Sequence, residues 1–125
     1  MAALPAHFPS QVPIDAYGNG GFRFAGMSHR GSILCLPSGI YAWNVSRETE
    51  LSLEQLAPVL AELSAPGFLL LGTGQMQVIP PNEIRRAFEE AGVGLEAMTT
   101  GAAARTYNVL LAEGRVIGAA LIAVD

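Results

Sequence analysis

Two apolar runs, Phe68–Leu71 and Val116–Val124, constrain this chain more than any other feature. A strand with one face in water alternates apolar with polar residues. A continuous run marks a strand covered on both faces. The chain therefore needs a central sheet with material packed on each side.

The segments between and before these runs indicate what that material is. Leu53, Leu56, Ala57 and Leu60 recur at helical spacing behind a Ser52–Gln55 capping pair. Pro58 predicts a helix that is short or starts late. Ile84, Ala87, Phe88 and Ala91 form an i, i+3, i+4, i+7 face that Gly92 ends. Leu95–Met98 predicts a short strand, and Thr100 is placed to cap a helix from Ala102 to Glu113. Strands alternating with helices favour parallel crossovers. Earlier in the chain, Phe22–Phe24, Ser32–Leu36 and Ile40–Trp43 are preceded in turn by Tyr17–Gly21, His29–Gly31 and Pro37–Gly39. Short strands joined by such turns predict an antiparallel meander. Residues 1–13, with three prolines and no period, predict a loose N-terminal arm on a single domain spanning 1–125. The expected fold class is α/β: a mixed sheet with helices on one side and the N-terminal β meander as an additional β layer.

Composition narrows the functional classes. Only 14% of the 125 residues are charged, the seven basic residues are all arginine, and the net charge is −4. That argues against nucleic acid as a main partner, since no basic patch is available to displace counterions from phosphates. One cysteine excludes an internal disulfide framework and a cysteine-rich metal site. No segment approaches the roughly 20 apolar residues of a membrane span, and Met1–Val12 does not read as a secretory signal. A cytoplasmic protein without a cofactor is the simplest expectation.

The candidate ligand edge is Gly72, Thr73, Gly74 and Gln75, directly after the first apolar run. Crevices at the C-terminal ends of parallel strands are where α/β folds bind ligands. The motif is incomplete as a dinucleotide loop, because Gln77 occupies the third glycine position, and without lysine it is no phosphate loop. A structural turn is the competing reading. Thr99 and Thr100 follow the next strand and open a helix whose free N–H groups suit an anion, or serve as an ordinary cap. Arg105 and Asn108 lie on that helix away from Ala103, Tyr107, Leu110 and Leu111, accessible either to an anionic ligand or to solvent. Cys35 lies in an apolar strand and reads as a small buried hydrophobe, with His29 in a turn nearby. Trp43 and Phe22 read as core anchors.

Tyr17–Arg23, Gly31–Leu34, Pro37 to Trp43, Leu69–Gly74 and Met98–Leu110 together resemble a small family of bacterial and archaeal proteins that includes mitochondrial complex I assembly factor three. The resemblance runs from about Ile14 to Val124. It implies a compact three-layer β/β/α fold, and for the mitochondrial relatives a non-enzymatic assembly role. Many of those relatives carry cysteine where this chain has Ala104, so a thiol there is not required chemistry. Two functions follow as expectations: a non-catalytic module with a protein partner, self-association included, or a binder of a small-molecule anion at the Gly72 and Thr99 turns. The absence of charge from Leu63 to Asn82 and its scarcity from Val12 to Ser46 point to where a protein partner docks, since interface cores are charge-depleted.

Overall fold

A computed structural model describes residues 7–125. Five short strands come first: β1 (Ala16–Gly18), β2 (Gly21–Phe24), β3 (Met27–Arg30), β4 (Ser32–Leu36) and β5 (Gly39–Trp43). After a 3-10 turn at Glu48–Glu50 follow α1 (Leu53–Glu62), β6 (Phe68–Gly72), α2 (Asn82–Ala91), β7 (Gly94–Met98), α3 (Thr100–Ala112) and β8 (Ile117–Leu121). The predicted meander is present but divided. Strands β1–β2–β3 form one antiparallel sheet, while β4 and β5 join a second sheet ordered β5-β4-β8-β6-β7. The division falls at Gly31, whose φ of 97° turns the chain between β3 and β4. His29 belongs to β3 and not to the expected turn.

Both apolar runs lie inside the five-stranded sheet. β8 is its central strand, antiparallel to β4 and parallel to β6, and β6 is parallel to β7. Period-two alternation sends Leu34, Leu36, Leu69, Leu71, Ala120 and Ile122 to one face, against Leu56 and Val59 of α1 and Ile84 and Phe88 of α2. Ile33, Cys35, Leu70, Ala119 and Leu121 go to the other face, against Phe22 and Phe24 of β2 and Ala103, Ala104 and Tyr107 of α3.

The three-layer β/β/α architecture therefore holds, with one correction. The helices do not all lie on one side: α1 and α2 cover one face, and α3 shares the opposite layer with the three-stranded sheet. The reason is chain direction. The crossover β6–α2–β7 moves outward to the edge, whereas β7–α3–β8 returns past β6 to the strand beyond it. Two right-handed crossovers that travel in opposite directions place their helices on opposite faces.

Other local differences are small and have local causes. α1 starts at Leu53, where Ser52 Oγ accepts from the Gln55 N–H at 3.3 Å, and continues through Pro58. Pro58 is on the exposed side of the helix, so the carbonyl it leaves unpaired faces water. α3 is capped one residue earlier than expected, by Thr99, whose Oγ1 accepts from the Ala102 N–H. The segment expected to be a loose arm is tied down from His7 onward; residues 1–6 lie outside the described residues. Phe8 pairs with Ile40, Gln11 Nε2 donates to the Ile117 carbonyl at 2.7 Å, and the Tyr107 hydroxyl donates to the Val12 carbonyl at 2.9 Å. Trp43 is buried and donates from Nε1 to the Gln55 carbonyl, fixing β5 to α1. No helix among the described residues is long and apolar enough to cross a membrane.

Candidate functional site

β6 and β7 are parallel neighbours whose following segments leave for opposite faces of the sheet. That is the geometry at which open α/β sheets form a crevice beyond their strand ends. The two predicted turns do meet there. Thr73 N donates to the Met98 carbonyl at 2.9 Å, Thr100 N to the Gly74 carbonyl at 2.9 Å, and Gly74 N to Thr100 Oγ1 at 3.0 Å. Thr100 Oγ1 in turn donates to the Ile122 carbonyl at 2.7 Å. Thr100 is completely buried. A β-carbon added at Gly72 would stand 2.9 Å from Thr100 Cα, so the glycine is what lets α3 approach the end of β6. The crevice is thus filled by a threonine, and the backbone groups at its mouth bond to one another.

Beyond this knot the β6–α2 loop is held in a fixed shape. Thr73 Oγ1 donates to the Met76 carbonyl at 2.6 Å and accepts from Val78 N at 3.0 Å. Gln77 Nε2 donates to the Ala97 carbonyl on β7 at 2.8 Å. The loop exposes two large apolar side chains, Met76 and Ile79, each 75% exposed, with Gln75 and Gln77 exposed beside them. A cleft of about 560 Å³ runs from Ile79 and Pro80 along the outer side of β7, past Phe88, Val93 and Leu95, with Arg85, Glu89 and Glu96 also in its lining. A second, of about 460 Å³, lies between Thr73–Val78, Arg47 and the Ile122–Asp125 segment.

Arg105 and Asn108 are occupied further along α3. Arg105 donates to the Tyr17 hydroxyl at 2.9 Å. Asn108 clasps Ile14 in both directions, with Nδ2 donating to its carbonyl and Oδ1 accepting from its N–H, each at 2.8 Å. These residues fasten the N-terminal segment and β1 to α3. The residues missed in the sequence are Met76 and Ile79. The charge-free stretch Leu63–Asn82 was the available signal, but it could not separate residues under the helices from residues facing out.

Cys35 is fully buried, and that burial pushes its thiol up to about 12. Its polar neighbour is Tyr107, whose own hydroxyl is raised by burial and by the thiol. His29 instead lies beside His7, with ring centroids 4.6 Å apart, and burial and that neighbour lower its pKa. A thiol reagent near pH 8.5, where an ordinary cysteine is half ionised, is expected to leave Cys35 unmodified in the folded protein and to label it fully in denaturant. Mass spectrometry distinguishes the two, and rapid labelling of the native protein would contradict the burial. No group of three or more His, Cys, Asp or Glu side chains among the described residues could hold a metal ion.

The sequence profile of the family described as "Protein of unknown function (DUF498/DUF598)" matches residues 14–122. An uncharacterised protein of Rhodobacter capsulatus is 38% identical over 122 residues, covering 98% of this chain and 93% of that protein. The mouse protein called NADH dehydrogenase [ubiquinone] 1 alpha subcomplex assembly factor 3 is 30% identical over 122 residues, 98% of this chain and 66% of that longer protein. Among solved structures, one titled as an outer membrane protein from Bartonella henselae superposes with a TM-score of 0.89 at 51% identity, covering 95% of this chain and all of that one.

Proposed function

We propose that this chain, which belongs to the DUF498/DUF598 family and is related to the complex I assembly factors, is a non-catalytic docking module. Its protein partner binds the β6–α2 loop and the adjoining edge of β7. The observation that carries this reading is the pair Met76 and Ile79, exposed on a loop that Thr73 and Gln77 already hold in place. A preformed loop loses little conformational freedom on binding, which leaves more of the contact energy for affinity. Apolar residues within a charge-free segment match the charge-depleted core of an interface. β7 is also an outermost strand of its sheet, and an outermost strand can accept a further strand from a partner. By relation to the assembly factors, the partner is a subunit or precursor of a respiratory NADH dehydrogenase.

The test is purification of the tagged chain from cells that make it naturally. Dehydrogenase subunits are expected to co-purify with the wild type. They should fall about tenfold or more with Met76→Glu combined with Ile79→Glu, the effect of introducing two desolvated charges into an interface core. Both residues are exposed, so the melting temperature should not move. Undiminished recovery by the variant would show the docking face to be elsewhere, and failure of any subunit to co-purify with the wild type would overturn the partner.

A small-molecule anion held by Gly72, Thr73, Gly74, Gln75, Thr99, Thr100, Arg105 and Asn108 draws less support. Several of their polar groups already bond within the protein, and an incoming anion would have to displace those bonds.

A further inference from the structure

We infer that the outer face of the three-stranded sheet is a binding site for a phosphorylated small molecule, with the phosphoryl group held between Arg23 and Arg30. This site is separate from the docking loop and does not depend on it.

The register of the sheet puts the two arginines on one face. Arg23 of β2 stands opposite Ala16 of β1 and Ser28 of β3, and the next pair on that face is Gly21 with Gly18 on one side and Arg30 on the other. Arg23 and Arg30 are therefore diagonal neighbours, whose Cα atoms lie roughly 7–8 Å apart in antiparallel pairs. Both are exposed. Arg23 Nε donates to Ser28 Oγ at 3.2 Å, which holds the base of that guanidinium against the sheet. The floor between them consists of Ala16, Gly18 and Gly21, with no side chain larger than a methyl. The result is a cleft of about 490 Å³, bordered also by Tyr17, Asn19, Ser28 and His29. That volume lies within the ordinary range for small-ligand sites.

Charge supports the same conclusion. The chain is acidic overall, yet its first 47 residues contain a single carboxylate, Asp15, against Arg23, Arg30 and Arg47. Asp15 is not among the residues lining the cleft, and neither is any other acid. The platform is firm, because Phe22 and Phe24 on the reverse side of β2 are buried in the core. Each guanidinium can present a pair of parallel in-plane N–H groups to a ligand, so the two arginines together can make two bidentate contacts. A carboxylate has two oxygens and satisfies one fork, whereas a phosphoryl group has three terminal oxygens and a second negative charge to engage both.

Isothermal titration with inorganic phosphate and with a phosphomonoester such as glycerol phosphate tests this site. Wild-type protein should bind the ester more tightly than phosphate, because the cleft extends beyond the phosphoryl group. Arg23→Gln or Arg30→Gln should each weaken binding about tenfold or more, the loss expected for one charge-assisted contact, and the double variant should show none. Arg86→Gln, on α2, should bind as the wild type does. All three positions are exposed, so melting temperatures should stay level. The site is overturned if the wild type binds neither probe at millimolar concentration, or if the double variant binds unchanged. It is also overturned if the arginines prove to serve only attachment to vesicles containing phosphatidylglycerol. Binding of phosphate and ester with equal affinity would limit the site to the free ion and reject the small-molecule assignment.

Discussion

Thr100→Val is expected to lower the unfolding free energy by about 3 kcal/mol and the melting temperature by roughly 10 °C. The two side chains have nearly the same shape, so the change opens no cavity. What it removes is the hydroxyl that accepts from Gly74 N and donates to the Ile122 carbonyl. Thr100 is completely buried, so water cannot readily replace it. A buried donor or acceptor left without its partner costs about 1–3 kcal/mol, and here one donor and one acceptor are stranded together. Thr100→Ser keeps the hydroxyl and loses only a methyl, so its cost should be about 1 kcal/mol. Denaturant unfolding of the three proteins at unchanged m-value provides the measurement. A valine variant as stable as the serine variant would show that the two bonds of the Thr100 hydroxyl contribute nothing.

That knot also marks how far the sequence could be followed. The uninterrupted run at Leu69–Leu71 showed a strand covered on both sides, and the spacing of Ile84 and Phe88 showed a helix with one buried face. Both features are local, so hydrophobic period alone reveals them. Which layer a helix joins is not local. Nothing within Ala103–Leu111 says that α3 lies opposite α2; that depends on β8 inserting between β4 and β6, and so on strand order. The division of the meander at Gly31 has the same character, since β3 and β4 are sequential neighbours but belong to different sheets. At the site, the glycines and threonines marked two turns on one sheet edge. That the threonine hydroxyl fills the crevice between them is a contact across 26 residues, which no spacing rule contains. Arg105 and Asn108 illustrate the same limit. Their helical position suggested accessibility, and their partners Tyr17 and Ile14 come from the far end of the chain.

Gly21→Ala is expected to be at least as damaging, about 4 kcal/mol, and to act on the other sheet. A β-carbon at this position would overlap the His29 carbonyl oxygen and stand 3.1 Å from Arg30 Cα. Both obstacles are backbone, so no side-chain rotation relieves them, and β2 must separate from β3 at that end. Two anchoring bonds adjoin the clash: Gly31 N to the Gly20 carbonyl at 2.7 Å, and Gly20 N to the Val124 carbonyl at 2.8 Å. Phe22 follows directly and is 2% exposed. Lifting β2 uncovers that ring and the Ile33, Cys35 and Leu121 surface in the core region it shares, and exposing one large apolar side chain alone costs about 2–3 kcal/mol. Hydrogen exchange can separate this local damage from general weakening. Amides of β1–β3 should lose most of their protection, while those of β6 and β8 retain theirs up to the lowered global stability. Uniform loss across both sheets would mean that the three-stranded sheet is inseparable from the central one. Wild-type stability would mean that β2 and β3 can part without cost. Where the loss of protection is confined to β1–β3, the same variant should also lose phosphomonoester binding, because Arg30 can no longer be held diagonal to Arg23.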